Sequence, residues 1–159
     1  ITNKQNNILT VQQENQELGF VGTPKEINDS VIEKIVKEKK VPVIAPLGLD
    51  KDNQVFNINA DTTAGAIAKK LNARRLIIMS DVEGVLDNNK KLISEIDSDK
   101  IMELIKNETI SGGMIPKIKN CLDVACNGVK GVCIIDGRLN HSILFELLSN
   151  AGSGTLIRE

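Results

Sequence analysis

Two adjacent glycines followed closely by a lysine, in Ile110-Ser111-Gly112-Gly113-Met114-Ile115-Pro116-Lys117, form the stretch best suited to chemistry in this chain. Glycines let a ligand approach the backbone, and the free N–H groups and positive dipole end of a following helix favour an anion. Lys117 adds a full positive charge about one turn in. A Gly-Gly loop capping an ordinary helix with a solvated lysine is the bland alternative, and the run is not the longer glycine-lysine-serine/threonine phosphate loop. A second group is Asn57-Ile58-Asn59-Ala60-Asp61, where Val55 to Asn59 alternates with period two and so points Asn57 and Asn59 to one strand face. Asn59 or Asp61 then opens a helix; for Asp61 alone, capping worth about 1 kcal/mol is a sufficient explanation. A third is the polar, glycine-bearing loop Asp81-Val82-Glu83-Gly84-Val85-Leu86-Asp87, placed after an apolar strand, where open parallel sheets bind ligands. An ordinary turn is the alternative there.

The elements that must position these groups follow from periodicity. Residues 8–11 and 18–23 read as two short strands with an irregular connection, with Pro24 starting a new segment. Ile27, Val31, Ile32, Ile35 and Val36 trace a helix face over 27–40, capped by Asn28 or Asp29 and ending in a solvated lysine run. Residues 41–46, bounded by prolines, predict a buried strand, 48–54 a polar turn and 55–59 another strand. Ala64, Ile67, Ala68 and Leu71 form the face of the helix that Asn59 or Asp61 opens. Residues 75–80 predict a buried strand and 97–107 a helix. Ile118, Cys121, Leu122 and Ala125 give the helix that begins near Gly113, with Pro116 in its tolerant first turn. A last buried strand over 131–135, a helix through Leu139, Ile143, Leu144, Leu147 and Leu148, and a strand near 154–157 complete the chain. Alternating strands and helices imply an α/β fold: a mainly parallel open sheet with helices on both faces.

Composition excludes several classes. The 159 residues suit one domain, which would bury roughly 70% of its unfolded surface. A formal charge of -1, no Trp, no Tyr and three Phe leave neither a basic footprint nor stacking aromatics for nucleic acid. No apolar run is long enough to span a membrane and residues 1–7 lack a signal-peptide core, so the expectation is a cytoplasmic protein. Cys121, Cys126 and Cys133, with His141 as the single histidine, lack metal-ligand spacing; they read as small buried apolar residues, and no metal site is expected. The first residue is Ile and the first strand begins without a preceding element, as expected of a fragment.

Taken together, Gly19-Phe20-Val21-Gly22, Asn57-Ile58-Asn59-Ala60-Asp61, Ser80-Asp81-Val82-Glu83-Gly84-Val85-Leu86 and Gly112-Gly113-Met114-Ile115-Pro116-Lys117 resemble the amino acid kinase family, and within it the acetylglutamate kinases. The resemblance runs from about Gly19 onward and implies that residues 1–159 are the carboxyl-terminal, ATP-binding lobe, with the amino-terminal lobe that binds most of the acetylglutamate missing. It implies Lys117 and Asp61 as catalytic residues, Lys117 reaching the phosphates and Asp61 orienting it. Asn57 would bind the main-chain carboxylate of acetylglutamate. Asp81, Val82, Glu83, Gly84, Val85 and Leu86, with Thr109, Ile110 and Ser111, would line the adenine and ribose. ATP and Mg2+ are the implied cofactors, and a homo-oligomer the implied state of the complete protein. His141, Gly152 and Gly154 lie in a segment similar to that of arginine-inhibited members, with Ala151 at a position expected to be acidic. A glutamate or aspartate kinase, or a non-catalytic nucleotide-binding module, are the alternatives. The chain alone is expected to be inactive.

Overall fold

The computed structural model describes residues 7–149 and 152–159; the rest of the polar amino-terminal stretch and Ala151 lie outside the described residues. The chain forms two compact units, Ile1–Leu71 and Asn72–Glu159.

In the first unit, β1 (Leu9–Gln13), β2 (Gly22–Ile27), β3 (Leu47–Leu49) and β4 (Val55–Asn57) form a sheet in the order β2-β1-β3-β4. The β1–β2 and β3–β4 pairs are antiparallel, and β1–β3 is parallel. The two strands pair through an irregular connection, as expected, but the second begins at Gly22 rather than at Leu18, which belongs to a one-turn 3-10 helix, and the register shifts between Thr10 and Val11. Pro24 does not begin a new segment but lies inside β2, opposite Val11. β2 is an edge strand paired beside a bulge, where a residue without an N–H is tolerated. Helix α1 (Asp29–Lys37) is shorter than the apolar pattern, because Ile27 finishes β2. Leu9, Val11, Phe56 and Ile58 make the core.

Residues 41–46 are not a buried strand. They have no regular structure, and Val41 and Val43 are 86% and 94% exposed. Pro42 and Pro46 remove the N–H donors a central strand would use. β3 starts at Leu47 instead, taking in Gly48 and Leu49; the turn is 50–54, where Asp50 Oδ1 accepts from the N–H groups of Asp52 and Gln54.

The second unit contains β5 (Leu76–Ser80), β6 (Glu95–Ile96), α3 (Ser98–Lys106), α4 (Met114–Cys126), β7 (Val132–Asp136), α5 (Ser142–Leu148) and β8 (Gly154–Ile157). Its sheet order is β5-β7-β8-β6: β5 runs parallel to β7, β7 antiparallel to β8, and β8 parallel to β6. The fold is thus α/β, but its sheets are mixed rather than mainly parallel. β7, sequence VCIID, is buried at every position and touches both α4 and α5, so both of its faces are covered. α4 buries Ile118, Cys121 and Ala125 as expected, with Val124 buried as well and Leu122 only half-buried. α5 does not follow its pattern: it buries Ser142 and Glu146, while Ile143, Leu144, Leu147 and Leu148 are exposed. Among the described residues no helix is long and apolar enough to cross a membrane.

Candidate functional site

In the second unit, the carboxyl ends of β5 and β7 are tied together by Gly137 N–H donating to the Ser80 carbonyl at 2.7 Å. The loop 81–86 leaves from this edge and is pinned from below by Thr155. Its buried hydroxyl accepts from Val85 N–H at 2.8 Å and donates to the Ile93 carbonyl at 2.7 Å. Gly84 has φ +142°, and a Cβ there would come within 2.6 Å of Thr155 Oγ1, so both space and backbone require glycine. Val85 is buried in the core, whereas Asp81 and Glu83 are exposed.

The second segment expected to line the nucleotide meets the chain that follows 81–86. Thr109 Oγ1 lies 2.7 Å from Asn88 Oδ1 and 2.7 Å from Asn107 Oδ1, which joins the turn after α3 to the chain that follows 81–86. Ile110 is buried, its N–H donating to the Leu104 carbonyl at 3.0 Å, and Ser111 is exposed. The structure therefore ties Thr109 to Asn88, two residues beyond 81–86, with Val85 and Ile110 each buried in the core.

From Ser111 the chain enters α4. Gly112 takes φ +55° and Gly113 caps the helix, and nothing lies within 4 Å of a Cβ built on either. The first-turn N–H bonds of Met114 and Ile115 back to Ser111 and Gly112 are long, at 3.3 Å each. This open, glycine-lined helix start fits a phosphate group. Lys117 is half-buried on the first turns, beside the fully buried Ile118.

In the first unit Asn57 ends β4 and is exposed. Asn59 leaves the strand to cap α2 (Ala60–Lys70), accepting from Thr62 N–H at 3.1 Å, so it no longer shares a strand face with Asn57. Asp61, half-buried in the first turn, is not the cap.

Gly152 and Gly154 line a cavity of about 540 Å3 together with Arg75, Glu95, Glu146 and Arg158; His141, exposed at the start of α5 with φ +64°, is not part of that lining. Glu146 is buried there. Its carboxylate accepts from Arg75 at 3.1 Å, from Ser153 N–H at 2.9 Å and from the Cys133 thiol at 3.0 Å. Burial, then the bond to Glu146, raises the Cys133 pKa to about 12. Cys126, in contrast to the expectation of buried thiols, is exposed.

Two charged residues at the β7 edge, Asp136 and Arg138, belong to the segment similar to that of arginine-inhibited members, but their pairing with each other was not expected. The buried Asp136 accepts from Arg138 Nε at 2.9 Å, its outer guanidinium nitrogen at 2.8 Å and its N–H at 2.8 Å; these bonds lower the Asp136 pKa to about 2. Asp81 and Glu83 also act electrostatically on Arg138, placing it by the 81–86 loop. The spacing Asp-x-Arg after a buried strand was the available signal. Among the described residues no group of three or more His, Cys, Asp or Glu is arranged to hold a metal ion.

An α/β chain with a glycine-opened helix and a loop cluster at the strand ends matches the model of the amino acid kinase family over residues 2–136, and the chain belongs to that family. It is 74% identical over all of its 159 residues to an acetylglutamate kinase of Pelagibacter ubique (strain HTCC1062), covering 55% of that protein. It is 49% identical over 142 residues, 89% of its length, to an acetylglutamate kinase of Gluconobacter oxydans (strain 621H), covering 48% of it. The smu.665 protein of Streptococcus mutans UA159 superposes with a TM-score of 0.80 at 33% identity, over 99% of this chain and 59% of that one. The chain thus spans about half the length of the curated relatives it matches.

Proposed function

We propose that this chain is the carboxyl-terminal, ATP-binding part of an acetylglutamate kinase, which transfers the γ-phosphoryl group of ATP to the side-chain carboxylate of N-acetyl-L-glutamate in arginine biosynthesis. The observation that carries this reading is the 74% identity to the Pelagibacter acetylglutamate kinase across every residue of the chain. The chemistry suits the groups present. A carboxylate acceptor is already ionised near neutral pH and needs no general base. Catalysis then depends on positioning and on neutralising charge on the transferring group. Lys117, at the open start of α4, supplies that positive charge. Asp61 orients the cationic groups, and Asn57 binds the main-chain carboxylate of the acceptor. The exposed groups of 81–86 and 109–111 line the nucleotide. Mg2+ would arrive with ATP, bound mainly through the phosphates and water, and would neutralise charge on the transferring group.

The complete protein acts in the cytoplasm as a homo-oligomer. Arginine inhibition is a second element of the reading, resting on the resemblance of the segment that carries His141, Gly152 and Gly154; the two glycines line a cavity whose carboxylates, Glu95 and Glu146, are already paired with Arg158 and Arg75. Purified 159-residue chain is inactive, because the acceptor must be held about 3 to 3.5 Å from the γ-phosphorus and most of that positioning belongs to the absent lobe. The test is ADP release by the chain extended with its upstream coding sequence. Acetylglutamate should support turnover and glutamate should not. Turnover with glutamate or aspartate alone would move the protein to another branch of the family, and nucleotide binding without turnover would make it a binding module.

A further inference from the structure

At the edge of the second unit's sheet opposite the 81–86 loop, a cavity of about 450 Å3 is lined by Arg74, Arg75, Lys130, Gly131, Leu156 and Arg158. Topology assembles it. β5 and β7 are parallel, so the residues preceding Leu76 and Val132 meet at one edge, and β8, antiparallel to β7, delivers Arg158 there after Ile157. Cations from three separate stretches converge, and no acid belongs to the lining.

The neighbouring acids offset only part of the group: Arg75 and Arg158 are each ion-paired, and Glu159 lines an adjoining cavity with Lys130 and Arg158. Arg75 donates to Glu146 at 3.1 Å and Arg158 forms an ion pair with Glu95 at 3.2 Å, each leaving further guanidinium N–H groups. Arg74 and Lys130 are exposed and, among the described residues, have no ion-pair partner. Like charges around a concavity repel one another and focus a positive field. A compact anion carrying several charges relieves that repulsion at several residues at once, and arginine forks match phosphate oxygens pairwise. Gly131 keeps the wall thin: a Cβ there would come within 2.9 Å of Leu156 Cδ1, itself part of the lining.

We propose that this cavity binds a small multivalent phosphate, of the pyrophosphate or phosphate-ester class, at a site separate from the nucleotide edge. β5 separates the two, five residues at about 3.3 Å each, or roughly 16 Å. The inference does not depend on which acceptor the protein phosphorylates.

The test is calorimetric titration of the 159-residue chain with pyrophosphate at constant ionic strength, repeated with citrate. Pyrophosphate should bind with Kd below about 1 mM. The Arg74→Gln/Lys130→Gln double variant should weaken it at least about tenfold, and Lys117→Ala should leave this binding in place. Loss with Lys117→Ala but not with the double variant, or tighter binding of citrate than of pyrophosphate, would overturn the proposal. Backbone NMR of the unsubstituted chain gives an independent reading should the double variant misfold. Pyrophosphate should move the amide signals of Gly131 and Leu156, and shifts confined to residues 110–117 would contradict the assignment.

Discussion

Helices α4 and α5 both pack on β7, yet they do so in opposite ways. α4 presents Ile118, Cys121, Val124 and Ala125 to the core, three of them on the stripe its period announces. α5 has an equally apolar sequence, SILFELL, and turns Glu146 inward while Leu148 stands 81% exposed. The inward carboxylate is satisfied by Arg75, Ser153 and Cys133, so burial costs it no lost hydrogen bond. Periodicity therefore reveals that a helix has a face, while the partners available across the sheet decide which face goes in.

That contrast can be broken most severely at β8, the strand beside β7. A Cβ on Gly154 would overlap the Ile134 carbonyl, and neither strand can move without breaking the pairing of β7 with β8. Gly154→Ala is expected to cost more than about 4 kcal/mol and to leave the second unit unfolded by circular dichroism. Next in size is the α4 side of the sheet. Ile118→Ala, at a fully buried position, should cost about 2 to 5 kcal/mol in urea unfolding. Its counterpart on α5, Leu148→Ser, should change stability by less than about 0.5 kcal/mol, because the side chain is already in water. Equal losses from the two substitutions would abolish the distinction between the helices.

The titrating groups sharpen the same comparison with smaller effects. Cys133, held between β7 and Glu146 of α5, has its pKa raised to about 12, so its contribution to stability is intact below the ordinary thiol pKa near 8.5 and fades as pH rises from there toward 12. Asp136 at the end of the same strand has a lowered pKa of about 2. Its contribution is intact above the ordinary aspartate pKa of about 4 and fades as pH falls toward 2. Thiol alkylation at pH 8 should accordingly modify the exposed Cys126 long before the buried Cys121 and Cys133, a mapping that mass spectrometry reads directly.

Much of this was legible in the chain itself. Runs of Val and Ile marked β5 and β7, Asp97 marked the start of α3, and the Gly-Gly-x-x-Pro-Lys spacing marked the start of α4 with its lysine. What escaped was whatever depends on partners far away in sequence. Arg75 meets Glu146 across 71 residues, and Val85 finds Thr155 across 70, so no local pattern could show that one carboxylate is buried or that one hydroxyl holds the 81–86 loop. The run 41–46 misled because apolar composition outweighed its two prolines, which deny a strand its donors. Asn59 and Asp61 were interchangeable as caps by composition, and only geometry assigns the cap to Asn59.

The proposed kinase activity stands or falls on the lysine at the open start of α4. The measurement is kcat for acetylglutamate-dependent ADP release by the upstream-extended protein, with and without Lys117→Ala. The account predicts a fall of about 10²- to 10³-fold in kcat with a smaller change in KM, because the charge acts where phosphoryl charge develops. A fall of less than about tenfold would contradict it.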